Sequence, residues 1–71
     1  MLTMVERTFG SKTVITVTGD ARATITIKHT ASGAFAWKAN EDAGDFRHAD
    51  GSDATFAEAE AQALAVVTTW R

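Results

Sequence analysis

The sequence predicts a small α+β domain, in which a meander of about four antiparallel strands carries one C-terminal helix on one face (β-β-β-β-α). Three observations predict it. Four segments rich in β-branched and apolar residues follow one another between residues 2 and 39, and turn signals separate them. A capping box at residues 55–58 then opens an alanine-rich segment with apolar residues at helical spacing. Strands followed by one helix indicate a two-layer single domain over residues 1–71.

The first two strands, residues 2–9 and 12–18, are predicted to form a hairpin. They flank Gly10-Ser11, and a glycine followed by a small polar residue is typical of a two-residue type II′ turn. The turn fixes four cross-strand pairs, which are Phe9–Lys12, Arg7–Val14, Val5–Thr16 and Met4–Val17. The residues that this register turns toward the core are Leu2, Met4, Ile15 and Val17.

The third and fourth strands are predicted at residues 22–29 and 34–39, with turns at 19–20 and 31–33. Strict alternation in the third strand indicates one buried and one wet face, with Ile25 and Ile27 inward. In the fourth strand Phe35 and Trp37 point inward and Lys38 outward. Residues 40–53 are polar, acidic and glycine-bearing, so they form either a loop or a short fifth strand around 45–48.

The helix is predicted to begin after Thr55, because Thr55 and Glu58 have the spacing of a capping box. Residues 56–70 are mostly good helix formers, and their apolar members recur every three or four positions. Glu58, Gln62 and Thr69 lie on the opposite, polar side. The predicted core consists of Leu2, Met4, Ile15, Val17, Ile25, Ile27, Phe35, Trp37, Phe56, Ala63, Val67 and Trp70.

Charge is distributed unevenly along the chain. Residues 1–39 carry five basic against two acidic residues, a net of +3, and residues 40–71 carry two basic against seven acidic residues, a net of −5. The total of −2 therefore hides a dipolar molecule, which bears on binding rather than on chemistry. The basic residues predicted to point outward from the sheet, called the basic face below, are Arg7, Lys12, Arg22, Lys28 and Lys38.

The basic face predicts either an anion-binding surface for nucleic acid or an ordinary solvated sheet face whose lysines deter edge pairing. No aromatic residue is predicted to point outward beside these cations, so a stacking platform for bases is not expected. The acidic residues predicted to meet a basic partner, called the acidic set below, are Asp42, Asp45, Asp50, Asp53, Glu58 and Glu60. Their spacing does not supply the ligand positions of a calcium loop.

Catalytic and cofactor sites are not predicted. Ser11, Ser32 and Ser52 are turn residues without a neighbouring base, and the glycines occur singly, so neither a nucleophile elbow nor a phosphate-binding loop is present. His29 and His48 could bind zinc with nearby carboxylates, but nothing in the sequence places them together. The chain has no cysteine, no signal-peptide pattern and no apolar run near 18 residues, so a cytoplasmic protein with no membrane contact is expected.

Three resemblances bear on function. The order of strands and helix over residues 12–70 resembles a double-stranded-RNA-binding domain in topology, although the last helix here opens with acidic residues. The segment 51–61 is similar to the turn into the helix of HicB-type antitoxins, without that family's proline-rich segment. In size, acidity and lack of catalytic residues, the chain resembles phage-encoded inhibitors, including the anti-CRISPR class.

We therefore expect a non-catalytic protein-binding module, an inhibitor that blocks a basic or nucleic-acid-binding surface on its partner. The alternative is a nucleic-acid-binding module that uses the basic face. A chain of 71 residues encloses only a small core, so a homodimer that buries more surface is a further hypothesis.

Overall fold

The computed structural model describes residues 1–70, which form one five-stranded antiparallel sheet and one helix; Arg71, counted in the charge above, lies outside the described residues. The elements are β1 (Leu2–Phe9), β2 (Lys12–Gly19), β3 (Ala23–His29), β4 (Phe35–Glu41), β5 (His48–Asp53) and α1 (Phe56–Thr68). The strands lie in the sheet in chain order, with β1 and β5 at its edges. This arrangement confirms the predicted α+β class.

The register of the first hairpin is confirmed. Phe9 pairs with Lys12, Arg7 with Val14 and Val5 with Thr16, as the two-residue turn requires. Gly10 has a φ of 62°, the left-handed value that the first position of a type II′ turn demands. The pairing then continues without a bulge along all eight residues of β1.

The fifth strand exists but lies three residues beyond the predicted 45–48. Phe46, whose apolar side chain suggested that position, has a φ of 53° and is exposed, so it belongs to the turn between β4 and β5. β5 instead pairs with β4 from Asn40–His48 to Phe35–Asp53. Gly51 lies opposite Trp37, and a Cβ built on Gly51 would come within 2.7 Å of Trp37 Nε1. The indole therefore occupies the space that a side chain at this position would need.

The helix begins as predicted. Thr55 is its N-cap and accepts a hydrogen bond from the Glu58 backbone N–H at 3.2 Å, while the Thr55 hydroxyl donates to Glu58 Oε1 at 2.9 Å. The helix lies over β3, β4 and β5 and makes no close backbone approach to β1 or β2. Among residues 1–70, no helix combines the length and apolar character that a membrane crossing needs.

The core lies between the helix and the inner face of the sheet. Ile25, Ile27 and Val67 are fully buried, as predicted, and Trp70 is buried at the helix end. The core contains more alanine than predicted, since Ala63 was the one alanine in the predicted core. The fully buried alanines are Ala23, Ala39, Ala59 and Ala63. The prediction that Met4 is buried is wrong, since its side chain is 50% exposed. The reason is the lateral position of the helix, which leaves β1 uncovered.

One ion pair joins the lower end of the sheet, where the β4–β5 turn lies, to the end of the helix. Arg47 donates to both carboxylate oxygens of Glu41, at 3.1 and 3.0 Å, and to the Trp70 carbonyl oxygen at 3.0 Å. The guanidinium carbon also lies 5.9 Å from the Trp70 ring centroid. The hydrogen bonds from Arg47 lower the pKa of the Glu41 carboxyl below its ordinary value. Arg47 thus closes the β4–β5 turn onto the helix C-terminus.

Candidate anion-binding surface

The outer face of the sheet is free of any covering element among residues 1–70, because the helix packs on the opposite face. On each strand the side chains alternate between the two faces, so register determines which residues are neighbours outside. Four residues of the basic face, Arg7, Lys12, Lys28 and Lys38, lie on this outer side, as predicted. The outer face therefore carries most of the positive charge of the molecule.

Four of these cations occupy two adjacent cross-strand rows. One row contains Phe9, Lys12, Lys28, Ala36 and Ser52, from β1 to β5. The next row contains Arg7, Val14, Thr26, Lys38 and Asp50. Arg22 stands apart, before β3 at the lower end. The cations are therefore concentrated at the upper end of the sheet, where the β1–β2 turn lies.

The Lys12–Lys28 pair is the least favourable contact of this surface. The His29 N–H donates to the Ser11 carbonyl at 2.9 Å, so the next pair, Lys12–Lys28, is a non-hydrogen-bonded one. In such pairs the two Cα atoms are only about 4.5 Å apart, and like charges directly opposite are destabilising. Within residues 1–70 no carboxylate forms an ion pair with either lysine. A bound anion would relieve this repulsion.

The expectation that no aromatic residue points outward is wrong. Phe9 is 61% exposed and lies directly opposite Lys12, on the outer face. The signal was already in the sequence: directly opposed residues of a hairpin share a face, so an outward Lys12 requires an outward Phe9. A ring beside Lys12, in the same row as Lys28, supplies a stacking surface of the kind that sheet-based binders of single strands use.

Two open grooves cross the outer face. The larger has a volume of about 590 Å³, and its polar side chains come from Lys12, Thr26, Lys28, Lys38, Asp50 and Ser52. The smaller, of about 430 Å³, is lined by Val5, Arg7, Phe9, Val14, Thr16 and Thr18. Together they place ammonium groups and hydroxyls beside apolar surface, the combination that phosphates and bases require.

The acidic set, in contrast, is divided among several places. Asp42 and Asp45 lie near the β4–β5 turn, and Asp42 accepts a hydrogen bond from the Thr24 hydroxyl at 2.9 Å. Asp50 lies on the outer face opposite Lys38, and within residues 1–70 it forms no ion pair. Asp53 ends β5 at the upper end, and its Oδ2 is buried with no hydrogen-bond partner among the described residues.

The two glutamates of the acidic set lie on the helix. Glu58 is held by the Thr55 hydroxyl. Glu60 faces Glu6 of β1, and its pKa is raised, first by partial burial and then by the hydrogen bond to Glu6 and the repulsion from it. The fold does not gather the six acids into one patch.

The two histidines considered above as metal ligands lie near opposite ends of the sheet. His29 pairs with Phe35 at the upper end and stacks on it, with ring centroids 4.3 Å apart. His48 pairs with Asn40 near the lower end. Over residues 1–70, no three His, Asp or Glu side chains come together in an arrangement that could hold a metal ion.

Comparisons with known proteins add no family to this description. No protein-family model, no curated protein and no solved structure matches the chain.

Proposed function

We propose that the protein is a non-catalytic binding module whose basic face holds the phosphate backbone of a single-stranded nucleic acid. The observation that carries this proposal is the row of Phe9, Lys12 and Lys28, in which an exposed ring lies beside Lys12 and Lys12 lies beside Lys28. Neither lysine forms an ion pair within residues 1–70. Lysines contact phosphates in any sequence, and an aromatic ring stacks on any base. The binding is therefore expected to be strong at low salt and weakly selective for sequence.

The other hypothesis, an inhibitor of the anti-CRISPR type that meets a basic protein through the acidic set, stays a prediction. It is less favoured because the six acids are spread over the β4–β5 turn, both faces of the sheet and the helix. Two of them, Asp42 and Glu58, already accept hydrogen bonds from threonine hydroxyls. A cytoplasmic location fits either hypothesis and also stays a prediction.

The first test measures binding of a labelled oligothymidine by fluorescence anisotropy at several salt concentrations. Lys28→Gln should weaken binding and reduce the slope of log affinity against log salt by about 0.7, the contribution of one phosphate contact on a single strand. The matched control is Gln62→Glu, on the exposed side of the helix, which changes the net charge by the same amount. This control should leave the slope unchanged.

The second test separates stacking from charge. Phe9→Ala should weaken binding by about 1–3 kcal/mol at every salt concentration without altering the slope, because no charge is removed. Phe46→Ala, which removes a similarly exposed ring from the β4–β5 turn, is the control and should have little effect. The proposal is refuted if the wild type fails to bind at low salt, or if Gln62→Glu weakens binding as much as Lys28→Gln. Equal binding of duplex DNA with no effect of Phe9→Ala would reject single strands as the ligand.

A further inference from the structure

The edge formed by β1 is open to pairing. Three observations show which backbone N–H and C=O groups of β1 point toward β2. Phe9 and Lys12 are the pair that closes the two-residue turn, and the Asp20 N–H donates to the Met1 carbonyl. On the other side of β2, the His29 N–H donates to the Ser11 carbonyl. Odd-numbered residues of β1 therefore bond β2, and even-numbered residues point their N–H and C=O groups away from the sheet. The residues with outward backbone groups are Leu2, Met4, Glu6 and Thr8.

Among the devices that commonly prevent pairing, this edge has only the charges of Glu6 and Arg7. β1 is eight residues long and has no bulge, and its sequence contains neither lysine nor proline. It also carries three of the five large apolar side chains that are exposed within residues 1–70, Met4, Val5 and Phe9. The opposite edge, β5, is shorter and has Asp50 and a glycine at its centre. Pairing is therefore favoured at β1.

The sequence of β1 is complementary to itself in one antiparallel register. With a two-fold axis at Val5, Leu2 faces Thr8 of a second copy and Met4 faces Glu6, so all four residues with free backbone groups are paired. On the outer side, Arg7 faces Thr3. Moving the two-fold axis from Val5 to Glu6 would put Glu6 opposite Glu6 of the second copy, where like charges repel. Moving the axis to Met4 would leave Thr8 unpaired.

We propose that β1 pairs with β1 of a second copy of this chain, antiparallel and centred on Val5, to form a two-fold dimer with one continuous ten-stranded sheet. The pairing satisfies backbone groups along the edge and brings the two Val5 side chains into contact. Because the axis is perpendicular to the sheet, both outer faces lie on the same side. If the proposed function holds, two basic faces then form one longer nucleic-acid surface.

The mass of the dimer is tested by sedimentation velocity over a range of protein concentrations, without nucleic acid. We expect twice the 7.6 kDa of one chain at high concentration. Val5→Lys places two like charges at the axis and should raise the dissociation constant about fivefold or more. Thr16→Lys adds the same charge on the same face, on the strand next to Val5, and should leave the dissociation constant unchanged. A wild type that stays monomeric at every concentration overturns the proposal.

The register is tested by cross-linking, since the chain contains no cysteine. Val5→Cys puts two thiols in a non-hydrogen-bonded pair with Cα atoms about 4.5 Å apart, within the range of a disulfide. Mild oxidation should therefore give a covalent dimer. Thr3→Cys is the control, because its two copies would be separated by four residues along the strand, about 13 Å, which is too far. Equal cross-linking of both variants would overturn the register, and circular dichroism checks that each variant is folded. Neither result depends on whether the protein binds nucleic acid.

Discussion

Gly51→Ala should destabilise the protein, although alanine is normally the better residue in a strand. The φ of Gly51 lies outside the left-handed region, so the backbone accepts a side chain without strain. The added Cβ would, however, come within 2.7 Å of Trp37 Nε1 and 2.8 Å of two ring carbons. Trp37 is only 4% exposed, so its ring has little room to move.

The expected size follows from two opposing terms. Replacing glycine by alanine at an unstrained position stabilises by about 0.4–1 kcal/mol, through the unfolded state. Overpacking a core position costs about 1–3 kcal/mol. The net loss should therefore be about 1–2 kcal/mol, which lowers the melting temperature of a domain of this size by roughly 5–15 °C.

A double-mutant cycle identifies the cause. Trp37→Leu removes the three ring atoms that clash, together with an indole N–H that has no hydrogen-bond partner among residues 1–70. In that background Gly51→Ala should be neutral or stabilising, giving a coupling of about 1–3 kcal/mol. Urea unfolding followed by circular dichroism measures all four proteins. Equal losses from Gly51→Ala in both backgrounds would show that the indole contact is not the reason.

Three further predictions concern the cap and two glutamates. Thr55→Ala should lower the free energy of unfolding by about 0.5–2 kcal/mol in urea melts, whereas Thr55→Ser, which keeps the hydroxyl, should retain most of it. Because Arg47 lowers the pKa of Glu41, this carboxylate stabilises the fold above the ordinary glutamate pKa, and the contribution is lost as pH falls through the lowered value. Glu41→Gln should remove that part of the acid dependence in melts at several pH values, and an unchanged profile would contradict this assignment. Because the pKa of Glu60 is raised, its charge opposes folding at neutral pH, so Glu60→Gln should stabilise by less than about 1 kcal/mol; the gain should vanish as pH falls to the ordinary glutamate pKa.

Most of the fold follows from local patterns. Alternation in β3 identified the buried isoleucines Ile25 and Ile27, and the turn at Gly10 fixed the register of the first hairpin. Both signals are local, because a tight turn and period-two alternation are set by neighbouring residues. The position of β5 is not local: its sequence, with a glycine and two aspartates, has low strand propensity, and its pairing depends on β4 and the Trp37 ring.

The candidate site shows the same division. The basic face could be predicted because alternation and register put its cations on one side of the sheet. The acidic set was grouped by closeness along the chain, and that closeness is lost when one segment contributes a turn, an edge strand and a helix start. The exposure of Met4 could not be predicted, since it depends on which strands the helix covers.

Because the helix packs on β3, β4 and β5 alone, the strands differ in how much buried surface holds them in the sheet. On detaching, β1 would expose little buried surface of its own, because apart from Leu2 all of its residues are already exposed. Detaching β3 would open the contacts of Ile25 and Ile27 with the rest of the core. In native-state hydrogen exchange, amides of β3 should therefore report global unfolding, whereas the outward amides of β1 should exchange within minutes. If β1 pairs with a second copy, exchange on β1 will slow as protein concentration rises, and exchange on β3 will follow only the accompanying rise in global stability.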